Sequence, residues 1–230
     1  MDFSNSIILI TGASSGIGLC LANLLTEYGA KVIGIYNNTK INNVLFDAYK
    51  CDISKESDIK KLFKYIKNRY GIVDVLVNCA ALCLDNDFYD KTKKEFMKVL
   101  EVNLVGTFLM CKEASKLMNK GVIINMSSTD ATNTFSTYSM DYAASKAGIE
   151  NLTKNLANRL SNIKVCAIAP NWVDTDTVLN MNKDYLKIEM ERIGQKNLIK
   201  KEEVAIKIVE AIVNDDIVSG DIIRMEGSNE

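Results

Sequence analysis

Short runs of consecutive apolar residues recur along the chain, without the polar alternation of a half-exposed strand. β-Branched runs of this kind are typical of strands that are covered on both faces. The runs are IILI at 7–10, VIGI at 32–35, VDVLV at 73–77, VIINM at 122–126, VCAIA at 165–169 and DIIRM at 221–225, with AYKCD at 48–52 as a shorter one. The pattern therefore predicts a largely buried parallel sheet.

Segments with helical spacing lie between these runs, at 17–28, 57–70, 93–118 and 142–160. In 57–70 the apolar side chains fall on one stripe, with Ser57 placed as an N-cap, and 93–118 is typical of two consecutive helices. Strands that alternate with helices predict βαβ units and a Rossmann-type, doubly wound α/β fold. Ligands of such folds bind at the carboxyl ends of the strands, near the switch point.

The chain shows no repeat, low-complexity tract or break in composition, so residues 1–230 predict one domain. We expect segment 174–200, the least regular stretch after the core strands, to form a helical flap over the site. A net charge of −1 argues against a nucleic-acid-binding surface. No apolar run reaches the roughly 18 residues of a membrane span, and the N-terminus lacks signal-peptide features. These observations predict a cytoplasmic protein that binds neither membrane nor nucleic acid.

Two residue types constrain the chemistry. The six cysteines lie mostly in apolar runs, and Cys79 and Cys83 have no histidine nearby, so we predict no metal site. The chain contains no histidine at all, which removes the usual proton carrier at neutral pH. Acid–base chemistry must then come from tyrosine, lysine, cysteine or a carboxylate with a shifted pKa.

Tyrosine followed four residues later by lysine occurs three times among the nine tyrosines, and on a helix this spacing puts both side chains on one face. The pairs are Tyr36 with Lys40, Tyr89 with Lys93, and Tyr142 with Lys146. At most one pair is catalytic, and the spacing alone does not distinguish a catalyst from an ordinary helix turn.

A glycine-rich sequence, TGASSGIG at 11–18, follows the first predicted strand and precedes a predicted helix. Gly12 permits a tight turn, while Gly16 and Gly18 let the backbone approach a pyrophosphate at the helix N-terminus. A close-packed strand–helix turn is the alternative. The position directly after the first strand favours dinucleotide binding.

These motifs, in this order, resemble the classical short-chain dehydrogenase/reductase family over essentially the whole chain. TGASSGIG, CDIS, VNCAA, EVNLVGTF, IINMSS, YAASK, APNWVDTDT and SGDIIRMEG resemble its successive motifs. The resemblance implies a catalytic set of Asn103, Ser128, Tyr142 and Lys146. It favours Tyr142 among the tyrosines, since this one follows the SS strand end. The family spacing to Tyr142 points to Thr129, whereas the motif itself matches Ser128, which we prefer.

The resemblance also implies the cofactor-binding residues, namely Gly12, Ser14, Ser15, Gly16, Ile17, Gly18, Asn37, Asp52, Ile53, Asn78, Ala80, Tyr142, Lys146, Pro170, Val173 and Thr175. Cys79, Ala81 and Asn171 depart from the family pattern. NAD-preferring members end the second strand with an acid, and Tyr36 takes that place here. We therefore expect NADP(H) in preference to NAD(H), with Asn37 and Lys40 near the 2′-phosphate.

A mechanism follows from the resemblance and from charge. The Lys146 ammonium, together with oxidised nicotinamide, is expected to lower the pKa of the Tyr142 phenol. Ser128 would hold the substrate oxygen, and Asn103 would anchor a water leading to Lys146. Tyr138 lies one turn before Tyr142 and is expected either in the substrate pocket or in packing.

Within the family the chain is most similar to 3-oxoacyl-(acyl-carrier-protein) reductases. The resemblance implies hydride transfer between nicotinamide and a small-molecule carbonyl or alcohol, either a 3-oxoacyl thioester on a carrier or a small or medium specialised ketone. A dinucleotide-binding sensor without turnover and a structural assembly protein are more distant alternatives. The resemblance further implies a homo-oligomer, dimer or tetramer, assembled through helices at about 103–118 and 142–160.

Overall fold

A sheet of seven parallel strands organises the chain in the computed structural model, which describes residues 3–42 and 44–227. The strands are β1 (Ile7–Thr11), β2 (Lys31–Tyr36), β3 (Asp47–Lys50), β4 (Val75–Asn78), β5 (Gly121–Met126), β6 (Ile163–Pro170) and β7 (Ile222–Met225). They lie in the order β3-β2-β1-β4-β5-β6-β7. All the predicted strands are therefore confirmed, with ends that move by one or two residues.

Helices connect the strands and cover both faces of the sheet. They are α1 (Gly16–Glu27), α2 (Glu56–Arg69), α3 (Lys93–Leu100), α4 (Thr107–Ser115), α5 (Met140–Arg159), α6 (Asp176–Leu179), α7 (Lys183–Arg192) and α8 (Lys201–Val213). The predicted Rossmann-type, single-domain α/β fold is confirmed. Helix α8 was not predicted, although it buries Val204, Ala205 and Ile208 against the sheet.

Two helix details differ from the sequence prediction. The predicted pair of helices in 93–118 forms one continuous run, because a π-helical segment (Glu101–Gly106) joins α3 to α4. Ser57 is not the N-cap of α2, which begins at Glu56 after Lys55. The acidic side chains of Glu56 and Asp58 in the first turn face the positive end of the helix dipole instead.

The unalternated apolar runs arise because both faces of each central strand are buried. On β1, Ile8 and Ile10 contribute to a core cluster that includes Leu21 of α1 and Ile208 of α8. Leu9, one position along, contributes to a second cluster with residues of α2 and α4 on the opposite face. Full burial of a side chain of this size stabilises the fold by roughly 1.5–3 kcal/mol.

The switch point lies between β1 and β4. The chain runs outward from β1 to β2 and β3, then returns to place β4 on the other side of β1. A crevice opens at the carboxyl ends of these two strands, where ligands of doubly wound folds bind. Among the described residues, no helix is both long and apolar enough to cross a membrane.

Segment 174–200 contains the short helix α6 and the longer helix α7. Its two ends lie together, because the Asp174 amide donates to the Ile199 carbonyl at 2.9 Å and the Ile199 amide donates to the Trp172 carbonyl at 3.0 Å. The two helices therefore lie between chain segments that are hydrogen-bonded to each other.

Candidate active site

The turn after β1 is shaped by close backbone approach. Gly12 has a φ of +70°, and a Cβ there would lie 2.8 Å from backbone atoms of Ala80. A Cβ at Gly18 would lie 2.3 Å from the Gly12 carbonyl oxygen. The N-cap Ser15 makes no side-chain capping bond, and the first turn of α1 carries no acidic residue. The turn therefore presents open amide groups at the positive end of a helix, which suits a pyrophosphate.

A cleft of about 620 Å³ runs from this turn to the N-terminal part of α5. Most of the predicted site residues line it, namely Gly12, Ser14, Ser15, Gly16, Ile17, Gly18, Asn37, Asp52, Ile53, Ala80, Ser128, Tyr142, Lys146, Pro170, Val173 and Thr175. Residues separated by up to 163 positions in the sequence are thus brought to one surface. The cleft has the shape and the open backbone that a dinucleotide needs.

Asn78 and Asn103 are the two predicted site residues that do not line the cleft. Asn78 lies at the end of β4, where its amide nitrogen donates to Asn125 Oδ1 at 2.9 Å. This bond joins the side chains of neighbouring strands beneath the cleft floor, so in the structure Asn78 is a buried link in the sheet.

Asn103 lies in the π-helical segment and is 2 % exposed. Its Oδ1 accepts from the Leu82 amide at 2.7 Å, and its Nδ2 donates to the Leu82 carbonyl at 2.9 Å and to Ser145 Oγ at 3.0 Å. Short π-helical segments often occur at functional sites. Here the segment lets one amide join the loop after β4 to the residue that precedes Lys146.

Tyr142 and Lys146 lie four residues apart on α5 and face the cleft. Lys146 Nζ lies 5.2 Å from the centre of the Tyr142 ring and donates to the Met126 carbonyl at 2.6 Å. Burial lowers the pKa of Lys146 to about 8, against smaller opposing contributions from Cys79 and Cys83. The lysine therefore carries most of its positive charge at neutral pH, next to the phenol.

The pKa of Tyr142 in the protein without cofactor is raised above its ordinary value. Burial of the phenol raises this pKa, and the negative charges of Asp130 and Asp85 add to the increase. A side-chain hydrogen bond with Ser128 acts in the other direction without reversing the shift. The predicted lowering concerns the complex with oxidised nicotinamide, whose positive charge would act together with Lys146, and it stays a prediction.

Ser128 and Thr129 are distinguished by their partners. Ser128 Oγ accepts from the Asp130 amide at 3.2 Å, and the Ser128 side chain opposes the rise in the pKa of the Tyr142 phenol. Thr129 is 2 % exposed and donates through Oγ1 to Asn171 Oδ1. Both residues line the cleft, but the Thr129 hydroxyl is engaged with Asn171, whereas Ser128 acts on the pKa of the phenol.

The end of the cleft beyond Tyr142 contains polar residues that the sequence alone did not single out, namely Asp85, Asp130, Thr134, Ser136, Ser139, Tyr185 and Glu189. Burial, followed by the charges of Asp85 and Glu189, raises the pKa of Tyr185 to about 12. Tyr138 does not line the cleft, and its ring packs edge-on against Tyr185 at 5.9 Å. The spacing of Tyr185 and Glu189, one turn apart on α7, was the available sequence signal.

Within the described ranges, no group of three or more His, Cys, Asp or Glu side chains is arranged to hold a metal ion. A glycine-lined cleft at the switch point, with a tyrosine and a lysine one helical turn apart, defines a dinucleotide-binding oxidoreductase of the Rossmann class.

Comparison with known proteins identifies the family. The short chain dehydrogenase family model matches residues 6–186, and the chain therefore belongs to the short-chain dehydrogenase family. It is an NAD(P)-dependent oxidoreductase that interconverts carbonyl and alcohol groups.

Relatives include carbonyl reductase family member 4 of Xenopus laevis, which is 31 % identical over 97 % of both chains. The 3-oxoacyl-(acyl-carrier-protein) reductase FabG of Vibrio cholerae is 31 % identical over 89 % of this chain and 88 % of its own. A dehydrogenase/reductase from Sinorhizobium meliloti has a similar structure, with a TM-score of 0.87, 25 % identity, and coverage of 99 % of this chain and 96 % of its own.

Proposed function

We propose that this protein is an NADPH-dependent reductase of 3-oxoacyl thioesters. The observation that carries the catalytic part is the placement of Tyr142, Lys146 and Ser128 around one point at the end of a glycine-lined cleft. The substrate class is supported by the relatives named 3-oxoacyl-(acyl-carrier-protein) reductase at about 30 % identity.

In the proposed mechanism, each side chain has one role in the reduction of the substrate carbonyl group. Reduced nicotinamide supplies the hydride to the carbonyl carbon. Tyr142 donates its phenolic proton to the carbonyl oxygen, so that the C=O double bond becomes C–H and O–H. Ser128 positions the same oxygen. The Tyr142 phenol is protonated at neutral pH, as the proton donor of the reduction must be, and the ammonium of Lys146 beside it favours release of that proton.

Lys146 and Asn103 support this chemistry from the protein side. Lys146 places a positive charge beside the phenol and would bind the nicotinamide ribose, while its bond to the Met126 carbonyl orients the ammonium. The amide of Asn103 is engaged with Leu82 and Ser145. We therefore propose that Asn103 positions Lys146 through its bond to Ser145 on α5. Because its side-chain amide already has these partners, a water near Asn103 would be bound by neighbouring main-chain groups.

The proposed preference for NADP(H) rests on the end of β2. Tyr36 and Asn37 line the cleft at this position, where a carboxylate would repel a 2′-phosphate. Lys40, expected near that phosphate, does not line the cleft.

A second candidate is the reductase of a small or medium polar ketone. It is favoured by the substrate end of the cleft, which is lined by Asp85, Asp130 and Glu189. Arg192 neutralises Glu189 through an ion pair at 2.7 Å, which leaves the charges of Asp85 and Asp130 at this end of the cleft. Excess negative charge of this kind favours neutral polyhydroxylated or cationic substrates and disfavours anionic ones.

The predicted homo-oligomer and its cytoplasmic location remain proposals. Met97 of α3, Phe108 of α4 and Val105 between them are each more than 40 % exposed. Exposed apolar side chains along one helical run support association between copies of the chain.

The deciding experiment measures NADPH oxidation by the purified protein with acetoacetyl-CoA, an acyl-carrier-linked 3-oxoester and a panel of polyhydroxylated and amino ketones. Turnover fastest with the thioesters supports the first candidate, and turnover confined to the polar ketones supports the second. Tight nucleotide binding with no turnover on any of them would instead indicate a sensor.

A further inference from the structure

A second groove of about 360 Å³ adjoins the adenine end of the main cleft. Its lining consists of Asn37, Tyr49, Lys50, Asp52, Lys55, Asp58 and Lys61. Asn37 and Asp52 line both spaces, so the groove opens directly beside the residues expected at the ribose and the adenine. A substituent on the ribose that points away from the cleft would enter this groove.

The three lysines of the groove differ in their ionic partners. Lys55 pairs with Asp52 at 3.3 Å, and Lys61 pairs with Asp58 at 3.3 Å. Lys50 forms no ion pair with any carboxylate in the part of the chain that the structure describes. Two of the positive charges are thus matched by neighbouring carboxylates, whereas the charge of Lys50 is available to an anion.

The register of the sheet places Lys50 beside the end of β2. In the pairing of β2 with β3, Lys50 is the partner of Tyr36, which occupies the position of the acid in NAD-preferring relatives. Neighbouring strands lie about 4.8 Å apart, and residues in register point to the same face of the sheet. Lys50 and Asn37 line the same groove and therefore border one space. Lys40, in contrast, lines neither the cleft nor the groove.

We infer that Lys50 binds the 2′-phosphate of NADPH in this groove, with the side-chain amide of Asn37 as a second donor. The inference rests on the proposed NADPH-dependent function and deepens it, because it places cofactor discrimination on β3. An ammonium on a phosphate forms a charge-assisted hydrogen bond, which is stronger than one between neutral groups.

The test is isothermal titration of the full-length protein with NADPH, with NADH, and with 2′,5′-ADP against 5′-AMP. The variants are Lys50→Gln and Lys50→Arg, with Lys40→Gln as the matched control on the neighbouring loop. Trp172, the single tryptophan of the chain, lines the cleft and gives a second binding signal through its fluorescence.

We expect the wild-type protein to bind NADPH more tightly than NADH, and 2′,5′-ADP more tightly than 5′-AMP. Lys50→Gln should weaken NADPH and 2′,5′-ADP about tenfold, while NADH changes by less than about twofold. Lys50→Arg should retain the preference, and Lys40→Gln should match wild type.

Results that contradict the proposed function differ from results that contradict only the role of Lys50. No binding of either dinucleotide by wild type would overturn the proposed function and this inference with it. A wild-type protein that binds NADH in preference to NADPH would overturn the proposed NADPH dependence and the inference together. A Lys50→Gln variant with undiminished NADPH preference would overturn the inference alone. Equal weakening of both nucleotides by Lys50→Gln would also overturn it, since the effect would not then depend on the phosphate.

Discussion

Lys146 Nζ lies 5.2 Å from the centre of the Tyr142 ring and is held there by the Met126 carbonyl at 2.6 Å. This arrangement puts an ammonium beside a buried phenol in a chain without histidine. The phenol is the acid of the proposed reaction, and the ammonium is the charge that favours release of its proton. Both properties are open to measurement.

Removing the phenolic oxygen by Tyr142→Phe should lower kcat about 10²–10⁴-fold, the usual contribution of a general acid. The affinity for NADPH should change little, because the glycine turn is untouched. Steady-state kinetics and nucleotide titration measure the two effects separately. Tyr138→Phe is the matched control and should behave as wild type, because Tyr138 packs on Tyr185 outside the cleft. Near-normal turnover of Tyr142→Phe would contradict the assignment.

The choice between Ser128 and Thr129 predicts unequal effects of two similar substitutions. Ser128→Ala should reduce kcat by about tenfold or more, because it removes the hydroxyl proposed to position the substrate oxygen beside Tyr142. Thr129→Val should mainly lower thermal stability, because it leaves Asn171 Oδ1 without its donor. Activity and melting curves of both variants test this. The opposite pattern would place the substrate oxygen at Thr129.

The lowered pKa of Lys146 predicts a pH dependence of stability. The pKa falls from 10.5 to about 8 on folding, so between these values the unfolded chain binds more protons than the folded one. Stability from this group therefore rises with pH in that window. Relative to Lys146→Met, wild type should gain up to about 3 kcal/mol in free energy of unfolding between pH 8 and pH 10.5. Chemical denaturation of both proteins across the window measures the difference, and a constant difference would argue against a buried ammonium.

Gly12→Ala should both destabilise the fold and abolish nucleotide binding. The new Cβ would lie 2.8 Å from the Ala80 backbone, in addition to the strain of a positive φ. Gly71→Ala is the matched control, since Gly71 has a φ of +78° with no atom within 4 Å of the added Cβ. We expect the control to cost about 1–2 kcal/mol and Gly12→Ala to cost clearly more. Equal losses of stability in the two variants would mean that the contact between Gly12 and the Ala80 backbone relaxes to accommodate the added Cβ.

A buried ion pair next to the active site predicts a large loss of stability when only one of its two partners is removed. Lys91 Nζ lies 3.1 Å from Asp141 Oδ2, and the side chain of Asp141 is fully buried. Lys91→Met should destabilise the protein by about 3–5 kcal/mol, because it leaves a buried carboxylate without its partner. The double variant Lys91→Met with Asp141→Asn should recover part of that loss. Denaturation of the four proteins of this cycle gives the coupling, and strictly additive losses would contradict it.

Local patterns predicted most of the fold. The central strands follow from unalternated apolar runs, since a strand covered on both faces admits few polar residues, whereas the edge strand β3 is mostly exposed. The order of the motifs selected Tyr142 from three tyrosines with the same lysine spacing. Helix α8 was not predicted, although its buried residues Val204 and Ile208 have helical spacing.

The sequence by itself determined the class of fold, the glycine turn and the tyrosine–lysine pair, because each depends on residues that are neighbours along the chain. Only the tertiary structure decided the direction of the Tyr142 pKa shift, the engagement of Asn103 with Leu82, the acidic lining beyond the phenol, and the position of Lys50 beside Tyr36. These depend on burial and on distances between groups far apart in the chain. Periodicity and spacing carry no information about either quantity.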